Sequence, residues 1–404
     1  MRSLGAFTLI TIAALAGSFV DAGQQKALPP DQLPLIKELP DPFKFMDGSM
    51  VKTKADWDRR RVEIKKLFEE YEYGRMPPKP QKMTVKKGKR TTDEANKSFT
   101  QALEVVMEHN GKTITMNVTV TVPTGAKGKV PVLIQNGGFG GGKGGGKGNP
   151  IVNRGFAVAS FSWNSVAQDN KRTGGIYTLF GGDIDTGTLM GWAWGISRCI
   201  DALQEAVPEV DTTKVFVTGH SRDGKATLVA GAFDERIALT IPSHSGAGGM
   251  PPYRFAEEFV NRMPAGKNKK TEQLHNIAGS FPSWFRPGFS KFGKDNVNRL
   301  PIDQHLLACL CAPRGFMDTE GTQDLWTNPE GALLSNLAAR KVYKFLGAED
   351  KISTSTREVG HVPSQPDVLD MADYIFNGKK PPAQIGKLWY KDDTKPFLSW
   401  DLPK

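Results

Sequence analysis

The sequence has few cysteines: Cys199, Cys309 and Cys311 are the three among 404 residues. This number excludes a small fold held together by disulfides, and three thiols cannot all pair within one chain. Cys309 and Cys311 lie in the apolar run 306–312, for which we predict a buried strand with both thiols on one face. We expect buried thiols and no metal site, because no pair of histidines stands beside them.

The chain also lacks a three-residue glycine period, an internal repeat and, after the first 22 residues, any apolar run long enough to span a membrane. These absences exclude a collagen-like protein and a repeat protein. Its apolar content of 39%, with 22 Phe and 8 Trp, is enough for a large core and argues against global disorder.

The first 22 residues have the pattern of a secretory signal peptide. Arg2 precedes an apolar run from Leu4 to Ala16, and small residues follow up to Ala22. The run is shorter than the roughly 20 residues of a spanning helix, so we predict cleavage after Ala22 rather than a membrane anchor. The mature protein is then expected to be soluble, secreted or periplasmic, with no stable membrane insertion.

Positive charge exceeds negative charge, and the formal net charge is +10. Such a surplus suggests nucleic acid, an anionic surface or an acidic substrate as partner. The basic run 59–61 lies in a segment with helical spacing and is interleaved with acidic residues, so we interpret it as a solvated helix face. Because the surplus is dispersed, we expect no nucleic-acid partner.

Two patterns follow one another along the rest of the chain. From residue 83 to 123 apolar and polar residues alternate, which predicts antiparallel strands. From Val130 onward short apolar runs alternate with helical segments, which predicts a mostly parallel sheet between helices. We therefore predict an α/β domain over 23–404, in which an N-terminal helix and antiparallel strands (23–125) precede a catalytic core (126–404). Buried strands are predicted at 131–135, 156–161, 214–218 and 238–241 and within 306–317.

Glycine dominates the segment 137–148. Gly140, Gly142 and Gly145 match G-x-G-x-x-G after a strand, but no acidic residue follows at the distance of a dinucleotide fingerprint. Neither Ser nor Thr follows its second Gly-Lys pair, as a P-loop would require. We therefore interpret the segment as a loop at the carboxyl end of a strand, near an active site, and expect no nucleotide cofactor.

Residues 215–225 carry the strongest indication of chemistry. An apolar strand runs into Gly219, His220 and Ser221 and then directly into a helix, and the glycines at 219 and 224 permit a tight turn. Such a turn is typical of the elbow that presents a nucleophilic serine. The spacing is G-x-S-x-x-G, which matches only part of the general motif G-x-S-x-G. The alternative that Ser221 is an ordinary helix N-cap therefore stays open at this point.

The order of later residues favours the nucleophile. A serine hydroxyl needs a base to take its proton and an acid to fix the tautomer of that base. In α/β-hydrolases the three follow in the order serine, acid, histidine, at the ends of sheet strands. Asp324 lies on a polar turn after the last long apolar run, and His361, one of six histidines, lies in a loop after a shorter run. We predict Ser221, His361 and Asp324 as a catalytic triad.

With these residues the sequence resembles the glucuronoyl esterases, carbohydrate esterase family fifteen, and the bacterial branch is the closer match. The resemblance covers most of the chain after residue 22. It implies an α/β-hydrolase fold and hydrolysis of esters between 4-O-methyl-glucuronoyl groups on xylan and lignin alcohols, without a metal or another cofactor. It rests on the segments 192–195, 219–225, 230–242, 282–285 and 300–305.

The resemblance also implies roles for further residues. Arg222, next to Ser221, would help the backbone amides to stabilise the oxyanion. Lys225 and Glu257 would contact the hydroxyls of the uronate, and Trp326 would lie against the sugar face. In the alternative, Lys225 is a solvated helix residue and Trp326 a core aromatic residue, and both interpretations stay open.

Two positions depart from the family pattern. Many members carry a glutamate as catalytic acid after the following strand, where this sequence has His244. Other bacterial members resemble this chain in supplying the acid from the later loop, which here means Asp324. Asp318 is an alternative within a predicted strand, and His244 is either a pocket residue or a hydrogen-bonded turn residue. The second departure is Ser283, where an aromatic residue or histidine often stands.

The sequence therefore predicts a secreted serine esterase that acts on glucuronoxylan or a lignin–carbohydrate ester. Two rivals stay open: an acetyl xylan esterase with the same triad, and a non-catalytic carbohydrate-binding relic of the hydrolase fold. We expect a monomer.

Overall fold

The structure is a computed structural model, and it describes residues 27–136, 148–263, 269–390 and 397–403. The predicted signal peptide and residues 137–147 of the glycine-rich segment lie outside the described residues. Among the described residues, no helix has both the length and the apolar character needed to cross a membrane.

Nine strands and ten α-helices make up most of the regular structure in the described ranges. The strands are β1 (Lys82–Asp93), β2 (Ser98–His109), β3 (Lys112–Pro123), β4 (Val130–Asn136), β5 (Ala157–Phe161), β6 (Val210–His220), β7 (Ile237–Ser243), β8 (Gly315–Gly321) and β9 (Ile352–Arg357). The helices are α1 (Lys54–Phe68), α2 (Pro150–Asn153), α3 (Gly175–Phe180), α4 (Thr188–Ala206), α5 (Arg222–Phe233), α6 (Ala256–Arg262), α7 (Leu274–Ser280), α8 (His305–Cys311), α9 (Pro329–Leu346) and α10 (Gln365–Asn377).

All nine strands form one sheet in the order β1-β2-β3-β5-β4-β6-β7-β8-β9. Strands β1, β2, β3 and β5 pair antiparallel with their neighbours in that order. From β5 to β9 every pairing is parallel. This arrangement confirms the predicted mostly parallel sheet with an antiparallel extension, and the extension belongs to the same sheet.

Apolar clusters cover both faces of the sheet. The larger cluster contains residues of α1, α4, α5, α8 and α9, and the smaller one contains residues of α2 and α10. Strand side chains divide between them: Ile134 and Val217 belong to the first, Leu133 and Phe216 to the second. Because successive residues of a strand point to opposite faces, a strand buried on both faces reads as a continuous apolar run.

The basic run 59–61 lies on α1. Arg59 is exposed and pairs with Asp56, as expected for a solvated helix face. The expectation is wrong for Arg60, which is 2% exposed. Its guanidinium pairs with Glu63 and donates to the carbonyl of Pro42, and these partners compensate for the burial of its charge.

The prediction of a strand through 306–311 is wrong, because these residues form helix α8. Helix α8 packs against α5 and α9, and β8 begins only at Gly315. A short run that is apolar on every side has no polar face, so its period does not distinguish a helix from a strand. Cys199, Cys309 and Cys311 are buried free thiols, as expected, and burial raises the pKa of each.

Candidate active site

The predicted catalytic residues follow the carboxyl ends of neighbouring parallel strands. Ser221 follows β6 directly, Asp324 comes shortly after β8, and His361 comes shortly after β9. His244 follows β7, which lies between β6 and β8. Because these strands are parallel, their carboxyl ends lie at one edge of the sheet, and side chains far apart in sequence meet there.

Ser221 stands in a tight turn between β6 and α5. Its φ is 58° and its ψ is −123°, a strained backbone for a residue with a side chain. Its N–H donates to the carbonyl of Ser243 at 2.9 Å, and a Cβ on Gly224 would lie 2.8 Å from that same oxygen. The Ser221 side chain makes no capping hydrogen bond with α5, which contradicts the N-cap alternative. The geometry is that of a nucleophile elbow.

Asp324 and His361 are in direct contact. The Nδ1 atom of His361 lies 2.6 Å from Oδ2 of Asp324. Because an ionised carboxylate only accepts, Nδ1 carries the proton, and Nε2 is left as an acceptor for another proton. In the described part of the chain no hydrogen bond joins Ser221 to His361, and such bonds often tighten only when substrate binds.

Asp318 and Glu320 on β8 and Asp324 after it are three nearby carboxyl groups, and Asp324 ionises most readily. Burial opposes ionisation of Asp324, but hydrogen bonds from His244 and His361 outweigh it and lower its pKa below the usual value. Burial raises the pKa of Asp318 to about 6 and the pKa of Glu320 well above its usual value. Asp318 instead accepts hydrogen bonds from α9 and β9. The geometry therefore favours Asp324 over Asp318 as the acid.

Two imidazole rings, those of His244 and His361, contact this carboxylate, and a third ring packs against them. The ring centroid of His220 lies 4.2 Å from that of His361 and 5.3 Å from that of His244. Burial, followed by the charges of His361 and His244, lowers the pKa of His220 to about 4. His220 is therefore neutral near pH 7 and packs beside the His361 ring. No role for His220 was predictable from its position before Ser221, because nothing in the local sequence pattern indicates this packing.

Arg222 is held at the edge of the site by an acid and two aromatic rings. Its guanidinium pairs with Asp169 and lies 5.3 Å from the centroid of Phe281 and 5.2 Å from that of Trp284. Trp284 Nε1 in turn donates to Asp169, at 2.8 Å from Oδ1. These contacts fix the cation one residue from Ser221, while its part in oxyanion stabilisation stays a prediction.

Lys225 is a buried residue and not a solvated one, with 3% of its surface exposed. Its Nζ donates to the carbonyls of Ser245 at 2.5 Å and Ala247 at 2.7 Å, and to Glu272 Oε2 at 3.0 Å. An ammonium has three N–H donors, so these contacts use all of them. Glu272 was missed in the sequence analysis, because it lies outside every motif and meets Lys225 only through the fold.

The other two predicted substrate residues differ in position. Trp326 is 47% exposed, which contradicts the core alternative, and it follows Asp324 by two positions. Glu257 is exposed on α6. Among the described residues it has no hydrogen bond or ion pair with Ser221 or Lys225, and its contact with substrate stays a prediction.

One group of side chains in the described ranges has the composition of a metal site. The ligand atoms of His244, Asp324 and His361 lie within 4.8 Å of one another. Both histidines, however, use Nδ1 to donate to the carboxylate. A metal ion at this place would have to displace both protons and would break the contact that a triad requires.

Comparison with models of protein families shows to which family the chain belongs. A profile described as "Glucuronyl esterase, fungi" matches residues 105–347, more than half of the sequence. The chain belongs to the glucuronoyl esterase family. The resemblance found in the sequence is thereby confirmed, and the closer relation to the bacterial branch stays a prediction.

Two glucuronoyl esterases show how much of the chain is similar to its relatives. The 4-O-methyl-glucuronoyl methylesterase of Podospora anserina is 35% identical over 329 residues, which cover 80% of this chain but only 63% of the relative, less than two thirds of its length. The protein of the same name from Neurospora crassa is 32% identical over 379 residues, which cover 91% of this chain and 89% of the relative.

Solved glucuronoyl esterases share the fold. The family fifteen enzyme from Caldicellulosiruptor kristjansonii superposes with a TM-score of 0.77 at 35% identity, covering 92% of this chain and 99% of that one. The catalytic domain from Hypocrea jecorina also has a TM-score of 0.77, at 29% identity, covering 92% and 98%. These similarities confirm the predicted α/β-hydrolase fold.

Proposed function

We propose that the protein is a serine esterase that hydrolyses 4-O-methyl-glucuronoyl esters linking xylan to lignin alcohols. The observation that carries the proposal is the 2.6 Å contact between His361 Nδ1 and Asp324 Oδ2, at the sheet edge where the elbow presents Ser221. A related esterase from Sporotrichum thermophile, 28% identical with a TM-score of 0.76, was solved as a mutant in complex with methyl 4-O-methyl-β-D-glucopyranuronate, which supports this substrate class.

The proposed reaction has two halves. Ser221 Oγ attacks the ester carbonyl while His361 Nε2 takes its proton, and a tetrahedral oxyanion forms. The backbone N–H of Arg222 and its side chain stabilise this charge. The ester C–O bond then breaks, and His361 returns the proton to the leaving alcohol. A water molecule attacks the acyl-enzyme with His361 again as base, which releases the uronic acid and restores Ser221. Asp324 remains ionised throughout.

Substrate binding is proposed for the residues around this centre. The half-exposed indole of Trp326 offers a flat apolar face of the kind on which sugar rings pack. Lys225 holds Glu272, whose side chain is 12% exposed, in a defined position. We propose that this pair contacts the uronate hydroxyls through Glu272, with Glu257 as a further contact at the rim.

The test is hydrolysis of methyl 4-O-methyl-glucuronate by the purified protein and by Ser221→Ala. The wild type should turn over the ester, and the alanine variant should lose at least about 10³-fold in kcat because no nucleophile remains. Ser49→Ala is the matched control, because Ser49 is an exposed turn residue whose loss leaves the rate unchanged. An inactive wild type, or an active Ser221→Ala variant, would overturn the proposal.

Two further measurements address the rivals. Acetylated xylan should be a much poorer substrate than the uronate ester, and the reverse preference would identify an acetyl xylan esterase. A fluorophosphonate reacts with an activated serine, so labelling that disappears in Ser221→Ala excludes a non-catalytic relic.

We also propose that the protein is exported as a monomer after removal of residues 1–22 and meets glucuronoxylan or a lignin–carbohydrate ester outside the cytoplasm. The pattern of the first residues and the nature of this polymeric substrate support export. N-terminal sequencing of secreted material would test the cleavage, and light scattering would test the monomer.

A further inference from the structure

His244 binds the same carboxylate oxygen as the histidine of the triad. Its Nδ1 lies 2.8 Å from Asp324 Oδ2, the atom that also accepts from His361. The two rings stand almost perpendicular, at 86°, with centroids 5.5 Å apart. A carboxylate oxygen has two lone-pair directions, so the two imidazoles together fill both on Oδ2.

The position of His244 is fixed by its backbone and its burial. Its side chain is fully buried, and its N–H donates to the carbonyl of Thr319 on β8 at 2.9 Å. Its φ is 46°, in the left-handed region that few residues with a side chain adopt. A Cβ on Gly321 would lie 2.3 Å from the carbonyl oxygen of Val359 and 2.9 Å from His244 Cε1, so the glycine at the end of β8 leaves room for both.

The other nitrogen of the ring has no polar contact within the described ranges. Among the described residues Nε2 of His244 is buried without a hydrogen-bond partner. Nδ1 must carry a proton to bond with the carboxylate, so His244 is the donor in this contact. It cannot act as the base of the reaction, because its free nitrogen does not reach the surface.

We propose that His244 is a positioning residue that acts through Asp324: by occupying the second lone pair of Oδ2, it holds the carboxylate in the orientation that His361 requires. The inference rests on the proposed ester hydrolysis. With His244 present, Asp324 cannot rotate away when His361 moves between neutral and charged forms. Without it, the side chains of His361 and Thr327 are left to orient the carboxylate.

The test compares three substitutions of His244. Asn places an N–H where Nδ1 stands and tolerates a positive φ, so His244→Asn keeps the hydrogen bond. Ala and Gly both remove the donor, but Gly alone is unstrained at this φ. We expect kcat for methyl 4-O-methyl-glucuronate to fall about 10- to 100-fold in both His244→Ala and His244→Gly, with KM unchanged, and to return to within about threefold of wild type in His244→Asn.

The outcomes separate the possible roles. Equal kcat losses in the Ala and Gly variants, with rescue by Asn, support positioning through the hydrogen bond. A loss in Ala alone would assign the effect to backbone strain, and full activity in all three would overturn the proposal. Thermal unfolding of each variant establishes that the rates belong to folded protein. An inactive wild type would instead refute the proposed function, and His361→Ala should abolish activity whatever residue stands at position 244.

Discussion

Because the cation of Lys225 is buried, we predict that its loss lowers the stability of the protein. A residue that only binds substrate would not have this effect. In Lys225→Met the apolar stem of the side chain is retained and the charge is lost. The carboxylate of Glu272 then remains almost buried without its partner, and the carbonyls of Ser245 and Ala247 lose a donor. The free energy of unfolding should therefore fall, even though the volume of the side chain hardly changes.

The magnitude follows from the burial of the pair. Breaking a buried ion pair by removing one partner destabilises a protein by about 3–5 kcal/mol. Because whole domains are stable by only about 5–15 kcal/mol, Lys225→Met should fold but unfold at a clearly lower denaturant concentration. Adding Glu272→Gln removes the isolated charge, so the double variant should recover about 1–3 kcal/mol relative to the sum of the single changes.

The measurement is urea denaturation followed by tryptophan fluorescence, with linear extrapolation to water. Lys82→Met is the matched control, since Lys82 forms an ion pair of 2.9 Å with Glu108 but is largely exposed. That variant should lie within about 0.5 kcal/mol of wild type. If Lys225→Met unfolds at the wild-type urea concentration and only its KM rises, Lys225 is a substrate ligand and the structural reasoning is wrong.

Three further predictions concern charge. Asp324→Asn should lower kcat about 10⁴-fold in initial-rate assays, because an amide no longer enforces the Nδ1–H tautomer of His361, and a loss below tenfold would count against the triad. Arg222→Met should lower kcat about 10²-fold at constant KM, whereas a change in KM alone would assign Arg222 to ground-state binding. Burial raises the pKa of Glu72 from 4.5 to about 8, so the folded protein holds a proton that the unfolded chain releases. The free energy of unfolding should fall as the pH rises from about 4.5 to 8 in urea titrations, and Glu72→Gln should flatten this dependence unless other groups cause it.

Much of the fold was predictable because the strands carry a strong local signal. Strands β4 and β7 and the second half of β6 are buried on both faces, and each strand ends at a polar residue within two positions of the predicted boundary. Strands β2 and β3 alternate between buried and exposed positions. Helix α8 was not predictable, because burial on all sides removed the polar face that marks a helical period.

Some residues of the site were predictable from the sequence and others were not. Ser221, Asp324 and His361 were predictable, since a strand-to-helix turn with glycines and the order of the later residues are visible along the chain. Glu272 and His220 were not, because their partners come from other loops and strands. For His244 the sequence showed an unusual residue but not its contact, which depends on how closely β7 and β8 approach.

The exposure of Trp326 has a practical consequence. The chain has eight tryptophans, and Trp326, at 47%, is the most exposed of them; Trp389 is partly exposed, and the other six are buried. A quencher dissolved in water reaches an open indole far more readily than a buried one. The fluorescence lost on adding acrylamide will therefore report most strongly on Trp326, with a smaller part from Trp389, and a bound sugar that covers Trp326 will protect its share of the signal. Ligand binding can then be followed in the unlabelled protein, including in variants that no longer turn over substrate.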